Sequence, residues 1–227
     1  MKSASPLVVC TRRVLWSAAF CVVSSAAHAE IFKGIDFPSG ISSFADAVVN
    51  YSPGLAGGLP TPGNREPSHA LGASDVVGIG SACVSALNCH AVTLGDGGSI
   101  TLRFTDNFLT GSNSPAIDLW IFEVYGDVEA TAVDISRDGI NWFSVGKVPG
   151  STSGVDLDAF GFGSASRFSY VRLTDDPIQG GQTGSTVGAD IDAIGAAFSV
   201  AVPEPQTYAM IGAGFLMLMG IARRPFV

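Results

Sequence analysis

The chain is short of positive charge, of histidine and of helical periodicity, and each shortage closes off a class of function. Only 14% of its 227 residues are charged, and twelve Lys and Arg stand against twenty Asp and Glu. Between residues 30 and 201 the balance is seven to nineteen. An acidic surface of this kind repels phosphate backbones, so nucleic acid is not expected as a partner. Of three histidines, only His69 and His90 lie in that stretch, and no Gly-x-Ser-x-Gly elbow occurs. Nucleophilic hydrolysis therefore lacks both its usual base and its usual turn. His69 ends a Pro-rich loop and reads as a surface residue. A 3.6-residue apolar period is absent from 30–200 except over residues 41–49, where a short helix is expected.

What is present begins at the N-terminus. Lys2, Arg12 and Arg13 precede an apolar run over residues 14–23, and Ala27-His28-Ala29 supplies the small residues that signal peptidase reads. Residues 1–29 are thus expected to be a cleaved signal peptide, making the chain an exported protein. Cys10 and Cys21 would leave with it. The remaining pair, Cys83 and Cys89, would then face an oxidising compartment and is expected to close one small disulfide loop.

Residues 30–201 make one domain, since a chain of that length buries a sufficient core on its own. Short β-rich runs alternate with Gly, Pro, Asn and Asp clusters roughly every ten residues, the pattern of a sandwich or barrel. In Ser99-Ile-Thr-Leu-Arg-Phe104 apolar and polar residues alternate, which predicts a strand with one wet face. Residues 117–125 are almost continuously apolar and predict a central strand that carries Trp120 into the core. Runs at 130–136 and 141–148 flank Arg137-Asp138-Gly139, a hairpin signal because Gly supplies positive φ. Strands are also expected over 168–174 and 189–200, with weaker ones near Ile31 and Val92. The stretch 52–67, rich in Pro and Gly, reads as a long surface loop, and Leu94-Gly-Asp-Gly-Gly-Ser99 as a turn.

Three passages resemble the discoidin-like, galactose-binding-like jelly rolls of bacterial surface proteins. They are Ala70-Leu-Gly-Ala-Ser-Asp75, the hairpin Val133-Asp-Ile-Ser-Arg-Asp-Gly-Ile-Asn-Trp-Phe-Ser-Val145, and Tyr170-Val-Arg-Leu-Thr174 followed by Asp190-Ile-Asp-Ala-Ile-Gly195. The resemblance spans 70–197 and implies an all-β, jelly-roll-like antiparallel β-sandwich whose loops bind sugars, other surface molecules or a structural calcium ion. The loops here are mostly Gly, Ser, Thr and Asp, where ligand-binding members usually carry aromatic or basic residues.

Fifteen of the twenty acids are Asp, a turn-forming residue and a common calcium ligand. Asp75, Asp118, Asp190 and Asp192 at strand ends are the candidate calcium ligands. On a regular strand Asp190 and Asp192 would share a face about 7 Å apart, set either for a cation or as a solvated acidic face. The same pair makes a poor glycosidase acid and base, because neighbours on one strand do not flank a sugar from opposite sides. Trp142, just after the hairpin turn, suits packing or sugar stacking. Asn50-Tyr51-Ser52 fits a glycosylation sequon.

The C-terminus carries the most specific signal. Val202-Pro-Glu-Pro-Gln-Thr-Tyr-Ala-Met is followed by an apolar stretch and then Arg223 and Arg224. Residues 208–222 would form a helix of about 22 Å against roughly 30 Å of bilayer hydrocarbon, a short transmembrane helix with the arginines on the cytoplasmic side. Residues 202–227 look like the PEP-CTERM sorting signal of Gram-negative bacteria that make exopolysaccharide. By that resemblance the motif is Pro203, Glu204 and Pro205. An exosortase-type enzyme would recognise it after a membrane-held intermediate and discard the tail, leaving the protein on the outer surface or in the extracellular matrix. The expected function is a non-catalytic binding, adhesion or polysaccharide-associated module. A secreted glycan-active enzyme and a purely structural matrix component are the alternatives.

Overall fold

The computed structural model describes residues 28–75, 91–124, 129–150, 152–178, 184, 186–203, 211–214 and 216. Among them strand is the main regular structure, and the helical segments are short. The strands are β1 (Glu30–Phe32), β2 (Ile35–Phe37), β3 (Ala47–Ser52), β4 (Val92–Thr93), β5 (Ser99–Arg103), β6 (Asn107–Leu109), β7 (Leu119–Glu123), β8 (Thr131–Ser136), β9 (Trp142–Val148), β10 (Ser153–Val155), β11 (Tyr170–Asp175), β12 (Asp190–Ala196) and β13 (Ser199–Ala201). One sheet runs β3-β5-β11-β8-β9 and a second runs β10-β7-β12-β4. Every pairing is antiparallel.

Side-chain alternation puts the two sheets face to face. Ile100 and Leu102 of β5, Val133 and Ile135 of β8, and Val171 and Leu173 of β11 point inward and are fully buried. They share one core with Leu119 and Ile121 of β7 and Ile191 and Ile194 of β12. The result is a two-sheet antiparallel sandwich. Emptying any of these positions should cost about 2–5 kcal/mol.

Within the apolar run at 117–125, Leu119–Glu123 forms β7, an interior strand of the four-stranded sheet. Its outer face is apolar because a second cluster covers it, with Phe37, Phe44 and Phe122 buried together and Phe32 and Trp120 at its margin. Phe37 and Phe44 lie 4.7 Å apart between ring centroids and Phe44 and Phe122 6.0 Å. Gly195 of β12 leaves room for them, since a Cβ there would stand 2.7 Å from the Phe37 ring and 2.9 Å from Phe44.

The expected helix over 41–49 does not form. A 3-10 turn spans Gly40–Ser43 and β3 follows, paired with β5. A register shift between Val48 and Asn50 turns both Val48 and Tyr51 toward the core. A bulge thus spaces inward residues three apart, which imitates a helical period in the sequence. The run 189–200 divides in two: β12 stays in the sandwich, and β13 pairs with β6.

The hairpin at 137–139 forms as expected, with Gly139 at φ +74°. Ser136 Oγ accepts from Gly139 N at 2.9 Å, and Asp138 Oδ1 accepts from Asn141 N at 2.8 Å. The stretch 52–67 is less exposed than its composition suggests. Gly54 N donates to Leu94 O at 2.9 Å, Ala56 bridges to Asp96, and Asn64 is buried. The glycine turn at 94–98 is closed by Gly98 N donating to Gly95 O at 2.8 Å.

Residues 211–214 and 216 are helical, and no helix among the described residues is long and apolar enough to cross a membrane. The remainder of the expected 208–222 helix lies outside the described residues. So do Cys83, Cys89, Glu204, Pro205, Arg223, Arg224 and nearly all of the expected signal peptide.

Candidate functional site

The solvent face of the five-stranded sheet is built by the same alternation that fills the core. Along β11, Val171 and Leu173 point inward, which turns Tyr170 and Arg172 outward. Cross-strand pairing then fixes their neighbours: Tyr170 lies opposite Arg103 of β5 and Ser136 of β8, Arg172 lies opposite Asp134, and Ser136 lies opposite Trp142 of β9. A row of planar groups crosses four strands.

The row is fixed in place by its own contacts. The Arg172 guanidinium lies 4.4 Å from the Trp142 ring centroid and donates to Asp134 Oδ2 through Nη2 at 2.8 Å and Nε at 3.2 Å. Arg103 stands 5.4 Å from the Tyr170 ring centroid. Tyr170 rests against the hairpin turn, where a Cβ on Gly139 would meet its ring at 3.5 Å. Trp142, Tyr170, Asp134 and Arg172 are half-buried and Arg103 is exposed. Such a face offers ring area for the C–H side of a sugar and fixed polar groups for its hydroxyls. Trp142 was a candidate from the sequence. Tyr170, Arg172 and Arg103 were not, although the alternation in Tyr170-Val-Arg-Leu-Thr174 already placed the first two on one face.

The four candidate calcium ligands do not gather. Asp190, Asp192 and Asp118 are all buried, so Asp190 and Asp192 do not form the solvated acidic face that was one of the two readings of their strand. A bulge between Ile191 and Ala193 breaks the regular alternation on which the shared face of Asp190 and Asp192 depended. Asp190 accepts from the Thr93 hydroxyl on β4. Burial pushes its carboxyl well above the usual range, and the charges of Glu129 and Asp175 add to that, while the Thr93 bond opposes it. Asp192 instead accepts from the Ser74 hydroxyl and lies 3.8 Å from Lys33 Nζ. Burial raises it to about 6, with Asp75 reinforcing the shift and Ser74 and Lys33 opposing it. So Asp75 keeps company with Asp192, and Asp190 stands in a different setting.

Asp118 belongs to a third group. Among the described residues the one set of three acids whose ligand oxygens all approach within 4.8 Å is Asp118, Asp156 and Asp158. Asp118 sits at the start of β7, and its Oδ2 accepts from Leu157 N at 2.8 Å. Burial raises its carboxyl to about 6, opposed by the Leu157 bond and by the nearby Ser112 hydroxyl and reinforced by Asp158 and Asp156. The Ser112 hydroxyl makes its short contacts elsewhere, to Ser114 Oγ at 2.9 Å and Asp158 Oδ2 at 3.2 Å. Asp156 and Asp158 were missed from the sequence because they lie in a connection between β10 and β11 that carries no strand signal. Their Asp-x-Asp spacing was the available clue.

His69 lies within the 3-10 turn Pro67–Ala70, half-buried rather than at the surface, with Nδ1 enclosed.

No family model matches the chain, and no curated protein does either. Among solved structures, it is similar to the C-terminal domain of a chitobiase from Bacteroides fragilis, at 15% identity and a TM-score of 0.32 over 46% of this chain. The chain spans 64% of that domain. It is also similar to CpGH89CBM32-6 of Clostridium perfringens, at 13% identity and a TM-score of 0.30 over 47% of this chain and 72% of the other. At these scores neither likeness carries an argument about this protein.

Proposed function

We propose that the chain is an exported, non-catalytic, polysaccharide-associated protein that engages carbohydrate across the outer face of the five-stranded sheet. The observation that carries this reading is the row Arg103, Tyr170, Arg172 and Trp142, in which aromatic rings and guanidinium groups are locked together on the outer face of the sheet. Rings held rigidly lose little freedom when a sugar stacks on them, so binding does not have to order them first. The sandwich is read as jelly-roll-like. Its destination rests on the sequence between 202 and 227, which fits a PEP-CTERM tail processed by an exosortase-type enzyme.

The test is binding of the protein to the exopolysaccharide of the producing cell. Saturable binding that is lost when Trp142 and Tyr170 are replaced by Ala supports the proposal. Binding that survives both substitutions moves the site off this face, and release of free sugar replaces the reading with a glycan-active enzyme. Mass spectrometry of the natively produced protein tests the destination: an intact 208–227 segment on the mature form sinks the sorting reading.

A further inference from the structure

The loops of residues 110–114 and 156–164 meet around the acidic group at the start of β7. Asp158 Oδ2 accepts from Ser112 N at 2.9 Å and Asn113 N at 2.9 Å. Asp156 Oδ1 accepts from Asp158 N at 2.9 Å and Ala159 N at 3.3 Å. Asn113, at φ +60°, ties the second loop down by accepting from Ser164 N at 2.9 Å through Oδ1. Each carboxylate therefore gives one oxygen to backbone N–H groups, which fixes its orientation.

The other oxygens have no such partner. Asp118 is 0% exposed and its Oδ1 is enclosed without a hydrogen-bond donor. Among the described residues no hydrogen bond reaches Asp156 Oδ2 or Asp158 Oδ1, and no Lys or Arg forms an ion pair with any of the three. A buried, donor-free carboxylate oxygen costs several kcal/mol unless something positive meets it. One carboxylate oxygen from each of the three lies within 4.8 Å of the others, close enough for all three to reach one ion with metal–oxygen bonds of about 2.3–2.6 Å.

We propose that Asp118, Asp156 and Asp158 form a calcium site that pins the loops of residues 110–114 and 156–164 to the start of β7. Calcium suits it better than magnesium or zinc. All three side-chain donors are hard oxygens held by neighbouring backbone, and the remaining positions of a loose six-to-eight-oxygen shell fall to carbonyls and water. The site is independent of the sheet face assigned above to carbohydrate.

The test is a thermal melt of the full chain in chelator and in 10 mM calcium, with calorimetric titration of calcium into the chelator-stripped protein. For a site of about 0.1 mM affinity, 10 mM calcium should raise Tm by roughly 5–10 °C. The titration should give one ion per chain. Asp156→Asn keeps an oxygen for Asp158 N and Ala159 N, so it folds, and it should lose most of the Tm rise and bind calcium at least tenfold more weakly. Asp192→Asn should keep both responses. No calcium heat and no Tm change in the native chain overturns the proposal, and so does a full response in Asp156→Asn.

Discussion

Replacing Asp192 by Asn should change how stability depends on pH, in a direction the structure dictates. The carboxyl is buried and titrates near 6 in the folded chain against an ordinary value of 3.8. At about 1.4 kcal/mol per pK unit, the gap of roughly two units amounts to about 3 kcal/mol. A raised carboxyl holds its proton more tightly folded than unfolded. Its contribution is therefore complete below pH 3.8, declines as the unfolded chain loses its proton first, and is gone once pH passes the folded value near 6. Asn cannot ionise, yet it still accepts the Ser74 hydroxyl bond. Its amide beside the enclosed Oδ1 position adds an offset that does not vary with pH. Urea unfolding of both proteins in chelator, from pH 4 to 7.5, should show the variant gaining on the native chain by about 2–3 kcal/mol across that window. Asp190 titrates in both proteins and cancels in the comparison. Parallel curves from pH 4 to 6.5 would refute the reasoning, because Asp192 would then be ionised at no cost in the fold.

Other substitutions test separate parts of the account. Gly195→Ala drives a methyl against the Phe37 and Phe44 rings and should lower stability by about 1–3 kcal/mol, read as a drop in urea midpoint at constant slope. Gly139→Ala forces a side chain to φ +74° in the β8–β9 turn and should cost about 1–2 kcal/mol, while leaving calcium binding intact by titration. Arg172→Lys removes the planar group packed on Trp142 and should weaken polysaccharide binding severalfold, with Tm moving by less than about 3 °C.

The strands that pack by simple alternation were legible. Residues 99–103, 131–136 and 142–148 appear where Ile100, Leu102, Val133 and Ile135 alternate with polar neighbours, and Asp138-Gly139 marked the hairpin turn. Legibility failed where a bulge altered the period. Val48 and Tyr51 face the core three residues apart and imitate a helix, and Ile191 and Ile194 do the same across the bulge that separates Asp190 from Asp192. The short strands β2, β6 and β10 carry too few residues for any period to show. The acidic site was half legible. Asp118 stood out beside an apolar strand, but its partners Asp156 and Asp158 reach it only because β10 pairs with β7. The sheet face needed knowledge of which strands are neighbours, since Arg103 and Trp142 are brought to β11 from far along the chain.

The central claim is that carbohydrate lies on the face of β5, β11, β8 and β9 and leaves uncleaved. Equilibrium binding of the protein to its own cell's exopolysaccharide, with the polymer's size distribution measured before and after, tests it most directly. The account predicts saturable binding, at least tenfold weaker after Trp142→Ala or Tyr170→Ala, and an unchanged polymer. Absence of binding, or a polymer shortened by the protein, would contradict it.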